Sequence, residues 1–196
     1  VQVFARNCRQ VREKMLAFLP GLLTSMGLIM AIGAQNAFVI RQALTRKYVL
    51  VIVVICAVAD ASLIVLGIAG LGAVIEGLPW LMELLRWFGV VYLIWFGLNS
   101  LRSAFKGDSL NATKGESKTL KQVVISLLGF TFLNPHFYLD TVILLGSIGN
   151  SFGENKWFFA AGAALGSCIW FFSIGFGAKA ASRFMSKPIF WKVLDI

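Results

Sequence analysis

Two carboxylates stand inside apolar runs of the sequence, where charged side chains are rare. Asp60 lies in the stretch AVADASL and Asp140 in FYLDTV, with no other charged residue in either stretch. A charged side chain at the centre of a bilayer costs about 2.5–3.5 kcal/mol on insertion scales, so it needs a partner or a function. Pairing with a polar neighbour is one interpretation. We favour a cation or proton site, because no Lys or Arg is expected at matching depth.

A second polar feature interrupts the apolar run that carries Asp140. Proline removes a backbone donor and disfavours the α conformation of the residue before it, so the helix must break at Asn134-Pro135. Asn followed by Pro is typical of the N-cap and first position of a new helix. The pattern predicts a half-helix from Pro135 whose free amides face an anion, with His136 and Asp140 on one face. A simple packing kink is the alternative.

A parallel feature precedes the first loop, where Gly33 is followed closely by the amide side chains of Gln35 and Asn36. Glycine permits a local break, and two amides in lipid need hydrogen-bond partners. Interhelical hydrogen bonding for assembly is the alternative interpretation. Discontinuous helices form midplane sites in secondary transporters, so two such breaks predict a shared central site.

Catalytic and metal-binding patterns do not stand out in this sequence. His136 is the only histidine, and it is a candidate for a proton relay rather than a metal ligand. Cys8, Cys56 and Cys168 match no zinc spacing and are interpreted as small apolar filler. We find no Ser-His-Asp arrangement, Walker loop or HExxH motif. We therefore expect no metal, no cofactor and no enzymatic activity.

Composition indicates the elements that must hold these residues. Hydrophobic residues make up 58% of the 196 residues, and charged residues make up 14%. Soluble domains are roughly 45–50% apolar and roughly 25% charged. The chain is therefore predicted to be an all-α integral membrane protein, a polytopic helical bundle. Five apolar runs are long enough to span a bilayer, which takes about 20 helical residues. They are 16–40, 48–75, 80–103, 122–149 and 157–182.

The net charge of +9 is interpreted as a mark of membrane orientation rather than of nucleic-acid binding. Twelve Lys and Arg residues fall in or beside the first loop, the third loop and the C-terminal segment, against five on the other side. The positive-inside rule then places loops 41–47 and 104–121 in the cytoplasm. The polar segment 104–121 is predicted to be a linker between a first membrane half, 15–103, and a second, 122–196, arranged as inverted three-helix repeats.

Both ends of the sequence are unusual. Residues 1–14 carry four positive charges that oppose this orientation, and Met15 begins a clean apolar run. We therefore hypothesise that 1–14 is a non-native extension. The segment PIFWKVLDI at the other end resembles the entry to another span. The prediction is five spans of an expected six.

Taken together, these segments resemble the LysE/ArgO family of basic amino-acid exporters over about residues 15–196. The resemblance is carried, in this order, by GAQNAFVIRQALTRKY, AVADASLIVLGIAG, LRWFGVVYLIWFGLNSLRSAF, FTFLNPHFYLDTVILLGSIG and WFFAAGAALGSCIWFFSIGFGA. The stretch Asn-Pro-His-Phe-Tyr-Leu-Asp-Thr is the most specific part and looks closer to the arginine-exporter branch. The family pattern has Gly-Pro-Gln-Asn in the first span, where this sequence has Ala34 in place of the proline.

The resemblance implies a secondary transporter that exports L-arginine, with L-lysine and canavanine as further substrates, across a bacterial inner membrane. Export would be coupled to an ion gradient. The partners are then a basic amino acid and the lipid bilayer, with a homo-oligomer as an open option. An exporter of neutral amino acids such as homoserine, or a non-transport membrane subunit, are the alternatives.

On this interpretation, the two carboxylates attract the cationic side chain and are the candidates for proton coupling. Amides at the half-helix start, from Asn134 to His136, are expected to receive the α-carboxylate. The predicted substrate-binding residues are Asp60, Asp140, Gln35, Asn36, Asn134 and His136, and the predicted helix breaks are at Gly33 and Pro135.

Overall fold

The computed structural model describes residues 2–31, 33–71, 77–105 and 119–185, and these residues are helical almost throughout. The all-α class predicted from the sequence is confirmed. The regular geometry is interrupted by a kink at Gly70 (φ 113°) within Gly67–Leu71 and by a π-helical turn at Leu139–Leu144. The helices are α1 Gln2–Ile29, α2 Ala34–Leu44, α3 Val49–Leu66, α4 Pro79–Phe105, α5 Leu120–Phe132, α6 Pro135–Tyr138, α7 Leu145–Asn150 and α8 Lys156–Met185.

Within the described residues, two helical segments are long and apolar enough to cross a membrane, Val49–Leu71 and Gly153–Ser182. They correspond to the predicted second and fifth spans. The predicted first span is divided into Val11–Ile29 and Ala34–Leu44, which are bent by 80° and would make a third crossing if they act together. The number of spans and the inverted repeat therefore stay predictions.

Helices α1 and α8 lie in close contact because glycines face the opposing backbone. A Cβ at Gly162 would collide with the backbone of Phe18, and a Cβ at Gly166 would lie 2.7 Å from the carbonyl oxygen of Leu22. Small residues spaced four apart commonly allow such close approach of two helices in membranes. Because successive turns pair in the same order, α1 and α8 run in the same direction.

Helix α3 runs antiparallel to α8, and its end packs against the region of the second break. Ser167 of α8 contacts Asp60 of α3, whereas Gly175, further along α8, faces Val53, earlier in α3. At the end of α3, a Cβ on Gly67 would lie 2.6 Å from the carbonyl oxygen of Val142. The kinked segment beyond Asp60 is therefore in backbone contact with the π-helical turn that contains Asp140.

Some sequence predictions fall on segments that the structure does not describe. Most of the linker 104–121 and the C-terminal segment 186–196 lie outside the described residues. Near the end of the predicted linker, Thr119 and Gln122 form a capping box that starts α5. Residues 2–14 form the first part of α1. The hypothesis that 1–14 is a non-native extension stays a prediction.

Candidate functional site

The residues selected from the sequence meet in one cavity of about 540 Å³ between the two helix breaks, α3 and α4. Small-molecule sites in proteins have volumes of about 300–1,000 Å³, so the cavity is large enough for a metabolite. All eight predicted residues line it: Gly33, Gln35, Asn36, Asp60, Asn134, Pro135, His136 and Asp140.

Asp60 is the most deeply placed carboxylate of the cavity, with 1% of its surface exposed. The Ser167 hydroxyl donates a hydrogen bond to its Oδ2 at 2.6 Å. The other oxygen, Oδ1, is buried and has no hydrogen-bond partner among the described residues. A buried carboxylate oxygen without a partner is costly, so this atom indicates either a bound proton or a ligand. Sequence reasoning does not single out Ser167, which is one small polar residue in a long apolar run.

At the first break, Asn36 closes the gap between α1 and α2. Its Nδ2 donates to the carbonyl oxygens of Ile29 at 2.8 Å and Ala31 at 2.9 Å, at the C-terminal end of α1. Its Oδ1 accepts from the indole nitrogen of Trp170 at 3.5 Å. The Asn36 side chain is thus held by the chain itself on both sides, which the sequence did not indicate.

The N-terminal end of α2 has a different environment. Gly33 is the N-cap, with an extended backbone (φ −94°, ψ −178°), and no side chain caps the first amides. The first amides of a helix have no partner within the helix, so they depend on a cap, water or a ligand. The N–H of Gly33 donates to the carbonyl oxygen of Ala31 at 2.9 Å, and the N–H of Ala37 donates to Gly33. The amides left without a partner in the helix are therefore those of residues 34–36, and these residues line the cavity.

Gln35 fixes the position of this helix end against α3. Its Nε2 lies 3.6 Å from the sulfur of Cys56, in hydrogen-bonding contact. Cys56 and Asp60 are four residues apart on α3 and so share one face. The start of α2 is therefore held against the face of α3 that carries Asp60.

At the second break, the predicted helix start is confirmed, but the backbone amides expected to be free there already have partners. Asn134 is the N-cap of α6 and Pro135 its first residue. The Asn134 side chain accepts the backbone N–H of His136 at 3.1 Å, and the Asn134 carbonyl accepts that of Phe137 at 3.1 Å. The expectation of free amides here is wrong for these two groups, because the capping residue already occupies them.

Beyond this break, the chain forms a π-helical turn that contains Asp140. Asp140 is half-buried and His136 is exposed, and both line the cavity. π-helical segments are rare and often occur at functional sites. The sequence pattern predicts a regular half-helix, and it misses the single wide turn because such a turn has no composition signal of its own.

Arg86 is a cavity residue that sequence reasoning places elsewhere. Its spacing predicts a surface pair with Glu83, and the two groups do lie 4.0 Å apart with both side chains largely exposed. Arg86 of α4 also lines the cavity that contains Asp60 and Asp140. The cavity therefore has one cation at its wall, and the expectation that no Lys or Arg lies at the depth of the two carboxylates stays a prediction. In the described part of the chain, no three His, Cys, Asp or Glu residues group as a metal site.

Comparison with known proteins gives the family. Residues 26–196 match the family described as LysE type translocator. The chain belongs to the LysE family. It is 42% identical over 170 residues to a putative amino-acid transporter of Mycobacterium tuberculosis, with 87% of this chain and 85% of the relative covered. It is 31% identical over 208 residues to the lysine exporter LysE of Corynebacterium efficiens, with 91% of each chain covered.

A third relative is the arginine exporter ArgO of Klebsiella pneumoniae, at 39% identity over 162 residues, with 80% of this chain and 75% of the relative covered. No solved structure matches the chain. LysE-family members are transporters rather than enzymes, which confirms the resemblance and the functional class inferred from the sequence. The family match spans both helix breaks and every polar residue of the LysE-family cavity described above.

Proposed function

We propose that this LysE-family protein exports basic amino acids, with L-arginine as the principal substrate and L-lysine and canavanine as further ones. The observation that carries the proposal is a cavity with two carboxylates, Asp60 and Asp140, of which Asp60 has a buried oxygen without a partner among the described residues. The names of the relatives from Corynebacterium and Klebsiella support a basic substrate.

The charges of the cavity complement those of a basic amino acid. L-Arginine carries two positive groups and one negative group, while the cavity carries two carboxylates and the guanidinium of Arg86. A neutral amino acid such as homoserine has one positive group fewer. It would leave one carboxylate without compensation in a site of low dielectric, where an unpaired charge is strongly unfavourable. We therefore favour a basic substrate.

Export of a cation needs an energy source. The cytoplasm is electrically negative, so outward movement of one positive charge costs about 2.3 kcal/mol per 100 mV. We propose that inward proton movement drives export across the bacterial inner membrane, with loops 41–47 and 104–121 on the cytoplasmic side. Asp60 and Asp140 would alternate between proton and substrate, with His136 as a relay next to Asp140.

The experiment is efflux of labelled L-arginine, L-lysine and homoserine from cells that express the protein. We expect arginine and lysine export in the wild type and no arginine export in Asp60→Asn at an equal amount in the membrane. Glu154→Gln, which removes an exposed carboxylate outside the cavity, is the matched control and should export normally. Normal arginine export by Asp60→Asn, or homoserine export above that of arginine, would defeat the proposal.

A further inference from the structure

The geometry of the first helix break points to the orientation of the substrate. We infer that the α-carboxylate of the transported amino acid binds the N-terminal amides of α2, at residues 34–36, while its α-ammonium group binds Asp60. This inference rests on the proposed function and goes further, because it assigns the two ends of the substrate to different parts of the cavity.

Both ends of the first break border the cavity, but they differ in which backbone groups already have a partner. At the carbonyl end of α1, the Asn36 side chain satisfies two oxygens. At the amide end of α2, Gly33 provides no side-chain cap, and the helix continues for 11 residues. A helix N-terminus with open amides favours a negatively charged group, through both its hydrogen bonds and its dipole. The two ends of the break are thus unequal, and the open one is suited to a carboxylate.

The second break does not offer the same site. The amides of His136 and Phe137 are bonded to the side chain and carbonyl of Asn134. Helix α6 is also only four residues long before the π-helical turn begins, so its dipole is small. A carboxylate that entered the cavity would find its free backbone donors at α2.

Asp60 provides an independent observation that points to a ligand beside α2. This residue lines the cavity, and its Oδ1 is buried with no partner among the described residues. An amino acid carries its carboxylate and ammonium on the same carbon, so a site for both must bring an anion-binding group and a carboxylate together. An unpaired Asp oxygen next to open helix amides has this composition.

Two connections hold these groups in the same part of the cavity. Gln35 at the start of α2 contacts Cys56, one turn before Asp60 on α3. On the other side, α8 reaches both groups, since Ser167 donates to Asp60 and Trp170, three residues later, donates to Asn36. The start of α2 and the carboxylate of Asp60 are therefore positioned by shared neighbours.

This orientation leaves Asp140 for the side chain of the substrate. With the amino-acid backbone at α2 and Asp60, the cationic side chain extends toward the second break, where Asp140 and His136 line the cavity. Selection of basic over neutral amino acids would then depend on Asp140, while recognition of an amino acid as such would depend on the first break.

The test compares Gly33→Asp with Gly33→Asn. A Cβ at Gly33 would meet no atom within 4 Å, and its φ of −94° suits any residue, so both side chains fit. Both can cap the amides of α2, and they differ mainly in one negative charge at the carboxylate position. The measurement is competition by L-arginine and by agmatine, which is arginine without its carboxylate, against labelled L-arginine bound to the purified protein.

We expect L-arginine to bind about 10- to 100-fold more weakly to Gly33→Asp than to Gly33→Asn, the range for a lost charge-assisted hydrogen-bond site. Agmatine binding should differ between the two variants by much less. Equal losses for both ligands would overturn the inference, as would a loss specific to arginine in Arg86→Gln but not in Gly33→Asp. If the wild type binds arginine and one of these contrary results is found, only this inference fails. If the wild type neither binds nor exports arginine, the proposed function fails with it.

Discussion

The two helix breaks of the cavity use the same residue type in opposite ways. At the first break, Asn36 donates hydrogen bonds to the carbonyls at the end of α1. At the second, Asn134 accepts a hydrogen bond from the amide of His136 at the start of α6. One asparagine therefore satisfies the negative end of a break and the other satisfies the positive end. The first break keeps open amides toward the cavity, while the second is closed and carries Asp140.

This difference indicates that the two breaks bind different parts of the substrate within one cavity. The first break is connected to α3 and α8 through Gln35 and Trp170, next to the buried Asp60. The second is bounded by the π-helical turn and by α4, where Gly89 faces the backbone of Leu133. A rigid site for the constant part of an amino acid suits the first break, and a site for its variable side chain suits the second.

The largest expected effect is a difference between the two carboxylates. Asp60→Asn should lower the rate of arginine export by more than about 100-fold, because a buried charge–charge contact worth about 3 kcal/mol or more is lost. Asp140 is half-buried, so Asp140→Asn should lower the rate by only about tenfold. Initial rates in proteoliposomes at equal protein content measure both. A greater loss with Asp140→Asn would contradict this assignment of the two breaks.

The next effect concerns stability. Asn36→Ala leaves two carbonyls and the Trp170 indole without their partner. Each group that stays unpaired costs about 1–3 kcal/mol. We expect a clear drop in Tm for the protein in detergent. Asn36→Asp, which keeps the size but cannot donate, should lower the Tm as well. An unchanged Tm in both variants would show that the first break does not depend on this cap.

A smaller effect is expected from the residue that positions Asp60. Ser167→Ala removes the only hydrogen bond that the described residues make to this carboxylate. We expect KM for arginine to rise by about three- to tenfold, the range for the net contribution of one ordinary hydrogen bond, with little change in kcat. Ser25→Ala is the matched control, because the Ser25 hydroxyl is buried with no partner among the described residues. Equal KM changes in both variants would contradict a positioning role.

The sequence could predict those features of the site whose physical cause lies in neighbouring residues, and not those that depend on contacts between distant helices. The break at Asn134-Pro135 is predictable because proline and its preceding residue restrict the backbone regardless of the fold. The use of Asn36 as a cap for α1, and of Ser167 as the donor to Asp60, depends on how distant helices pack. Neither contact has a sequence spacing that would indicate it.

The position of Arg86 could not be predicted for a similar reason. A pair three residues apart with Glu83 is a local pattern, and it does occur. Whether the same arginine also faces a cavity depends on the position of α4 against α5 and α6, which rests on contacts such as Gly129 against the ring of Tyr92. The convergence of the six predicted polar side chains could be predicted from the sequence, since polar groups in an apolar bundle must find partners among one another.

The smallest expected effect separates the two breaks most directly. Asn134→Ala removes the cap of His136 and should reduce stability by about 1 kcal/mol, while Asn134→Ser, which can still accept the amide, should keep most of it. Thermal unfolding of the two variants in detergent measures this difference. Because Asn134→Ala also frees an amide beside the cavity, arginine binding to this variant is the sharper measurement. A gain in arginine affinity would show that carboxylates can bind at the second break once its cap is removed, and that capping by Asn134 keeps the substrate at α2.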